Sequence, residues 1–332
     1  MILSIDAFSD LGCVREQNED MVLVQGEMIR DDKLQLQLEP MEGFPAVVAV
    51  ADGMGGHNGG EFASELVVQS LDEFAHGLNR GLSFDELKTL FNEWIGMIHA
   101  EIVSKGKEIP AFLNMGTTLV GLLVYESRIF WYNAGDSRLY RFRGGILSQV
   151  SSDHSMREMV DPTAPSNMIC NSIGGGDEVF IDFTEISETV FDDDLFILCS
   201  DGLNDMLSDD RIESLLEQHA DATQLVGQAK QAGGKDNVSV VLIGFKEVVK
   251  PVETITGVIE EAENGETLKE TEITAKEAGG ESEEAAKKPE EVKENAEGSV
   301  ETQVKDAEPP QTDKFFAMKK SEKKGGFFHR KG

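Results

Sequence analysis

Short apolar runs, bounded by glycine, asparagine or charged residues, recur along the chain as far as Lys250. Val22–Val24, Leu34–Leu38, Ala46–Ala51, Thr117–Tyr125, Ile129–Asn133, Leu139–Arg143, Val179–Thr184, Leu195–Cys199 and Val238–Phe245 read as strands. Between them, Glu61–Asn79, Asp85–Ser104, Asp209–Gln218 and Ala222–Gln231 carry helical patterns. Ser83 with Glu86, and Asp221 with Gln224, stand at the spacing of capping boxes. The order is strands, two helices, strands, two helices, strand. That is not the βαβ alternation of a parallel sheet, so the reading is an α+β fold with mainly antiparallel sheets.

Beyond Lys250 the pattern stops. Glu, Lys, Ala, Thr and Gly dominate, with scarcely any aromatic residue before Phe315. Such a composition buries too little apolar surface to offset the entropy of ordering, which predicts a disordered tail. Its last stretch, DKFFAMKKSEKKGGFFHRKG, turns basic and carries the pairs Phe315–Phe316 and Phe327–Phe328. Paired aromatics among lysines suit docking on a partner or an anionic surface.

Composition narrows the function. The chain has 332 residues, 40% of them hydrophobic, enough for one large domain or two ordinary ones. A net charge of −32 disfavours nucleic acid as a partner and favours divalent cations. Cys13, Cys170 and Cys199 form no CxxC pair, which suits reduced thiols in a cytoplasmic protein. The sequence MILSIDAFSD lacks the form of a secretory signal, and no run is apolar enough for a membrane span.

The candidate chemistry lies in the acidic punctuation of the strands. In AVVAVADGMGGHNGGEFAS, Asp52 ends an apolar strand and glycines follow it into a helix. Glycines there let the backbone approach a ligand, so carbonyl oxygens as well as the carboxylate can face it. The spacing fits neither GxxxxGK[ST] nor GxGxxG, which argues against a nucleotide loop. LFILCSDG repeats the arrangement with Asp201 and Gly202, GGKDNVSVVLI sets Asp236 before a strand, and YNAGDSRLYRF sets Asp136 between two. If those strand ends converge, the carboxylates repel one another, and divalent cations resolve the conflict. An all-oxygen donor set suits Mg²⁺ or Mn²⁺, and two bridged ions about 3.5–4 Å apart would hold a hydroxide for in-line attack on phosphorus. SDLGCVREQNED adds Arg15, whose planar fork suits a phosphoryl group, four residues before Glu19 and with Asp20 beside that glutamate.

The ordered set VREQNED, VADGMGGHNGGE, MGTTLV, NAGDSRLYRF, SSDHS, LCSDGL and GGKDNVSVVLI resembles the bacterial type 2C serine/threonine protein phosphatases of the metal-dependent PPM family. The resemblance covers about residues 1–246, and residues 247–332 have no counterpart in a minimal catalytic domain of that family. It implies a sandwich of two antiparallel sheets flanked by helix pairs, with metals in a cleft at one end. Carried over motif by motif, Asp52 would bridge two metals, the Gly53 carbonyl would ligate one, and Asp201 and Asp236 would hold the other. Glu19 would act through water, Arg15 would grip the phosphoryl group, and Asp136 with Asp201 would form a third metal site. The implied activity is hydrolysis of phosphoserine and phosphothreonine in proteins, opposing a serine/threonine kinase. The alternatives are a phosphatase of small phosphoesters and a catalytically silent binding module on the same fold.

Two departures from the family pattern stand out. Met54 follows the Asp-Gly pair where some relatives carry a histidine proposed as general acid, and His57 lies three residues further on. The stretch from Asp153 to Gly174 is shorter than the flap of bacterial relatives, and Asp153 and His154 match a family motif without an assigned role.

Overall fold

A computed structural model describes residues 1–40, 44–55, 59–165 and 168–248. His57 and the acidic tail beyond residue 248 lie outside the described residues. The chain begins with β1 (Ile2–Asp10), β2 (Met21–Val24), β3 (Glu27–Ile29), β4 (Lys33–Leu38), β5 (Ala46–Ala51) and the two-residue β6 (Gly53–Met54). Helices α1 (Gly59–His76) and α2 (Phe84–Glu108) follow, then β7 (Gly116–Thr117), β8 (Leu119–Tyr125), β9 (Arg128–Ala134), β10 (Arg138–Arg143) and β11 (Ile146–Gln149). A single-turn α3 (Met156–Met159) precedes β12 (Asp182–Glu185) and β13 (Leu195–Cys199). The fold closes with α4 (Asp201–Asn204), α5 (Asp209–Glu217), α6 (Ala222–Gln231) and β14 (Val238–Lys246).

Two six-stranded antiparallel sheets form the centre. The first runs β11-β10-β13-β14-β1-β4 and the second β12-β9-β8-β5-β2-β3, with β6 and β7 pairing separately. Alternation along single strands divides the core into three layers. In β5, Ala46, Val48 and Val50 face the space between the sheets, while Val47, Ala49 and Ala51 face α1 and α2. In β14, Val241, Ile243 and Phe245 point inward, while Val238, Val240 and Leu242 meet α4, α5 and α6. Strands covered on both faces read as continuous apolar runs, which is why β5 and β14 stand out in the sequence.

The expected α+β architecture, with helices outside two antiparallel sheets, is what the chain adopts. Both capping boxes form, with reciprocal hydrogen bonds at Ser83–Glu86 and Asp221–Gln224. Two strands differ from expectation for local reasons. Thr117–Tyr125 is broken at Thr118, whose backbone N–H donates to the Asp52 carbonyl at 2.9 Å instead of continuing a ladder. Val179–Thr184 begins only at Asp182, because Asn171 satisfies both the N–H and the C=O of Phe180. Among the described residues, no helix is long and apolar enough to cross a membrane.

Candidate metal centre

The site gathers where β5, β9 and β13 end and where β2 and β14 begin. Asp52 follows β5, and its backbone is clamped from both sides. Its N–H donates to Thr118 Oγ1 at 3.0 Å, and its carbonyl accepts from Thr117 Oγ1 and Thr118 N at 2.9 Å each. Thr118 Oγ1 also lies 2.6 Å from Ser137 Oγ, beside Asp136. The MGTTLV motif therefore couples the two aspartate-bearing turns through hydroxyls.

The glycines after Asp52 have a steric cause. A Cβ on Gly60 would sit 2.7 Å from the Gly53 carbonyl carbon and 2.8 Å from Glu19 Oε1. A Cβ on Gly53 would lie 2.5 Å from the Glu19 carbonyl oxygen. That carbonyl accepts hydrogen bonds from Gly53 N at 3.2 Å and from Ser64 Oγ at 2.6 Å. Three segments thus touch backbone to backbone, leaving no room for side chains. Gly202 obeys the same rule, since a Cβ there would overlap the Asn237 carbonyl oxygen.

Asn237, buried beside Asp236, organises the Arg15 loop. Its Nδ2 donates to the carbonyls of Leu11 and Gln17 at 2.9 Å, and its Oδ1 accepts from Glu19 N at 2.9 Å. Arg15 consequently reaches Asp236, with Nη2 2.6 Å from Oδ2, while its Nη1 stands 4.0 Å from Glu19 Oε2.

The carboxylates raise one another's pKa. Burial pushes Asp136 up to about 7, with Asp201 and Asp153 adding repulsion. Burial likewise pushes Asp201 up to about 6, helped by the charges of Asp236 and Asp205 and opposed by a hydrogen bond from Asp52. Asp52 is held well above the ordinary carboxylate range by burial first, then by Asp20, Asp201, Asp136 and Asp236. Glu19 is raised by burial, against the pull of Arg15.

Asp52, Asp136, Asp201 and Asp236 are thus brought together, with Gly53, Glu19 and Arg15 at their edge. Asp20, which the sequence reading left as a neighbour of Glu19, belongs to the same group. It is 1% exposed, accepts from Ser200 Oγ at 2.7 Å, and is pushed by burial up to about 7. Arg30 fixes its carbonyl to α1, donating to the Asp20 oxygen at 3.0 Å and to the Glu61 carboxylate at 2.9 Å. The signal was available: Asp20 opens the apolar run Met21–Val24, as Asp236 precedes Val238.

Asp153 and His154 lie one layer away. Asp153 pairs with Arg138, Oδ2 to Nη2 at 2.7 Å. His154 is 3% exposed; its Nδ1 accepts from Gly135 N at 3.2 Å and Asn171 Nδ2 at 2.7 Å, and its Nε2 meets Asp182 Oδ2 at 3.0 Å. Both acceptances fall on Nδ1, so Nε2 carries the proton and donates to Asp182. This ring holds the turn that presents Asp136.

Among the described residues, no group of three or more His, Cys, Asp or Glu side chains stands ready-made to hold a metal ion. Asp236 instead pairs with Arg15. Three buried oxygens, Asp20 Oδ1, Asp136 Oδ1 and Asp201 Oδ1, have no hydrogen-bond partner among the described residues. Buried, unsatisfied and all-oxygen, this donor set fits a hard divalent cation.

The comparisons with known proteins agree with that geometry. The profile of the protein phosphatase 2C family matches residues 24–235. The serine/threonine phosphatase stp of Listeria monocytogenes is 29% identical over 251 residues, covering 71% of this chain and 93% of its own. Protein phosphatase PhpP of Streptococcus pneumoniae is 33% identical over 217 residues, covering 60% and 86%. The solved serine/threonine phosphatase of S. agalactiae superposes with a TM-score of 0.62 at 25% identity, covering 74% of this chain and all of that one. The Mycobacterium tuberculosis phosphatase PstP/Ppp gives 0.57 at 30% identity, with 74% of this chain covered. The chain belongs to the protein phosphatase 2C family and is an enzyme of that phosphatase class.

Proposed function

We propose that the chain hydrolyses phosphoserine and phosphothreonine esters in proteins with Mn²⁺ or Mg²⁺ as cofactor, opposing a serine/threonine kinase in the cytoplasm. Residues 1–246 form its catalytic domain and residues 247–332 an appended tail. The observation that carries this reading is the convergence of aspartates from separate strand ends on one another and on Arg15. Such a cluster costs stability in a protein that needs only shape, which disfavours a silent module.

In this reading Asp52, Asp201, Asp236 and the Gly53 carbonyl would hold two ions, Asp136 with Asp201 would hold a third, and Glu19 would contribute through water. Bound there, the ions would neutralise phosphoryl oxygens and activate water as the nucleophile, without a phosphoenzyme. Arg15 does the positioning. Its guanidinium is half-exposed and, among the described residues, is held through one nitrogen at hydrogen-bonding distance from Asp236. The remaining N–H groups can take two phosphoryl oxygens, which fixes the phosphorus relative to the carboxylates. Thr117 and Thr118 keep the Asp52 backbone from moving as charge changes around it.

The substrate class is tested by comparing a phosphothreonine peptide with a sugar phosphate and a nucleoside monophosphate under Mn²⁺. The peptide should be hydrolysed with the highest kcat/KM. Preference for either small ester would reassign the substrate.

A further inference from the structure

The two large sheets end in four edge strands, β3, β4, β11 and β12. Three of them are short, with three residues in β3 and four each in β11 and β12, whereas β4 runs for six. Its register with β1 is unbroken from Lys33 to Leu38, and among the described residues it pairs with no other strand. A long edge without proline or bulge is a template for a further strand.

The hydrogen-bond phase decides which residues offer that template. Ser9 N donates to the Asp32 carbonyl at 3.2 Å, and these two residues extend the β1–β4 register by one pair. Bonded and non-bonded pairs alternate in an antiparallel ladder, so Leu34, Leu36 and Leu38 direct their main-chain groups to β1. Lys33, Gln35 and Gln37 turn theirs to the open side. The side chains alternate as well, with the leucines half-buried against the core between the sheets and the other three exposed. That outer row is held in place, because Gln35 Nε2 donates to Asp6 Oδ1 at 3.0 Å and Lys33 Nζ lies 4.4 Å from the centre of the Phe8 ring.

Residues 33–39 read KLQLQLE, a sequence complementary to itself when a second copy runs antiparallel about a two-fold axis at Leu36. In that register Lys33 faces Glu39 of the second copy, Gln35 faces Gln37, Leu34 faces Leu38 and Leu36 faces Leu36. The outward-bonding residues of one edge meet those of the other. Opposite charges and matched leucines each stabilise such a pairing, and like charges directly opposite oppose it. Sliding by two residues one way sets Asp31 against Glu39, and sliding the other way sets Glu39 against Gln35. Charge therefore selects one register.

We propose that the β4 edge joins two copies of this chain into a symmetric dimer, continuing the first sheet of one copy into the first sheet of the other. Lys33 and Glu39 pair at both ends of the contact, and Gln35 and Gln37 supply the main-chain bonds between them. None of these residues belongs to the acidic centre, so the pairing stands apart from the catalytic reading.

Sedimentation velocity of the full chain, over a series of concentrations at physiological ionic strength, should show a monomer–dimer equilibrium. Lys33→Glu and Glu39→Lys each set like charges opposite one another at both ends, and each should weaken dimerisation by about tenfold or more. Lys33→Glu combined with Glu39→Lys exchanges the partners and should restore the dimer, although the contact of Lys33 with Phe8 is gone. Gln37→Pro removes an outward N–H while leaving the bonds to β1 in place, and should give a monomer. A wild-type chain that stays monomeric, a dimer indifferent to the single reversals or to Gln37→Pro, or a dimer lost in the double variant would overturn the proposal. So would assembly beyond two chains, because a two-fold edge contact closes on itself.

Discussion

Arg15 and Asp236 are 221 residues apart in the chain and 2.6 Å apart in the fold. A guanidinium resting on a carboxylate that the proposed mechanism assigns to a metal is in competition with that metal. Arg15→Ala should therefore leave Mn²⁺ affinity unchanged or tighter, while lowering kcat/KM on a phosphopeptide by about 10–100-fold through loss of a charge-assisted contact. Calorimetry and steady-state kinetics on one preparation separate the two effects. Weakened metal binding would show that Arg15 supports the carboxylates rather than the phosphoryl group.

The contact of Gly60 with Gly53 and Glu19 gives a stability test. Gly60→Ala pushes a methyl group into backbone 2.7 Å away, an overpacking that costs about 1–3 kcal/mol. Thermal unfolding should shift down by several degrees. Gly81→Ala is the control for space, because nothing lies within 4 Å of a Cβ there, although its φ of 74° adds strain of its own. An unchanged midpoint in Gly60→Ala would mean that the three-segment contact is loose.

Both glycine positions were visible in the sequence as part of an unusual run, and so were four of the aspartates, because each ends or opens an apolar strand. What stayed hidden depends on tertiary partners. β1 escaped notice because Ile2 and Phe8 lie on its outer side while Ser9 is buried, which blurs the period of two. β3 has only three residues, and β11 is polar apart from Ile146 and Leu147, so neither carries a pattern. Asp20 was overlooked beside Glu19. The Thr118 break and the Asn237 clamp could not be read at all, because their hydrogen-bond partners are more than sixty residues away in the chain.

Metal removal should expose the electrostatic cost of the centre. Asp20 and Asp136 are pushed up to about 7 and Asp201 to about 6, from an ordinary value of 3.8. Between those limits the folded state holds protons that the unfolded chain has released. Stability in chelator is thus whole below the ordinary carboxylate range and falls as pH rises through the raised values. Unfolding midpoints measured across that window should decline, and Mn²⁺ should restore them. A midpoint that climbs with pH in chelator would contradict the crowding.

Asp136 is 7% exposed, with one carboxylate oxygen lacking a partner among the described residues. Asp136→Ala should spare tight metal binding, raise the midpoint of the metal-free protein near neutral pH, and lower turnover several-fold. Unchanged turnover at saturating Mn²⁺ would make Asp136 a structural residue.

Phosphate release from a phosphothreonine peptide is the most direct measurement, made with Mn²⁺, with excess chelator, and with Asp52→Asn in Mn²⁺. Turnover should be present only in the first case, because Asp52 is the aspartate that Asp20, Asp136, Asp201 and Asp236 all act upon. Turnover in chelator equal to that in Mn²⁺, or full activity of Asp52→Asn, would contradict metal-dependent hydrolysis at this centre.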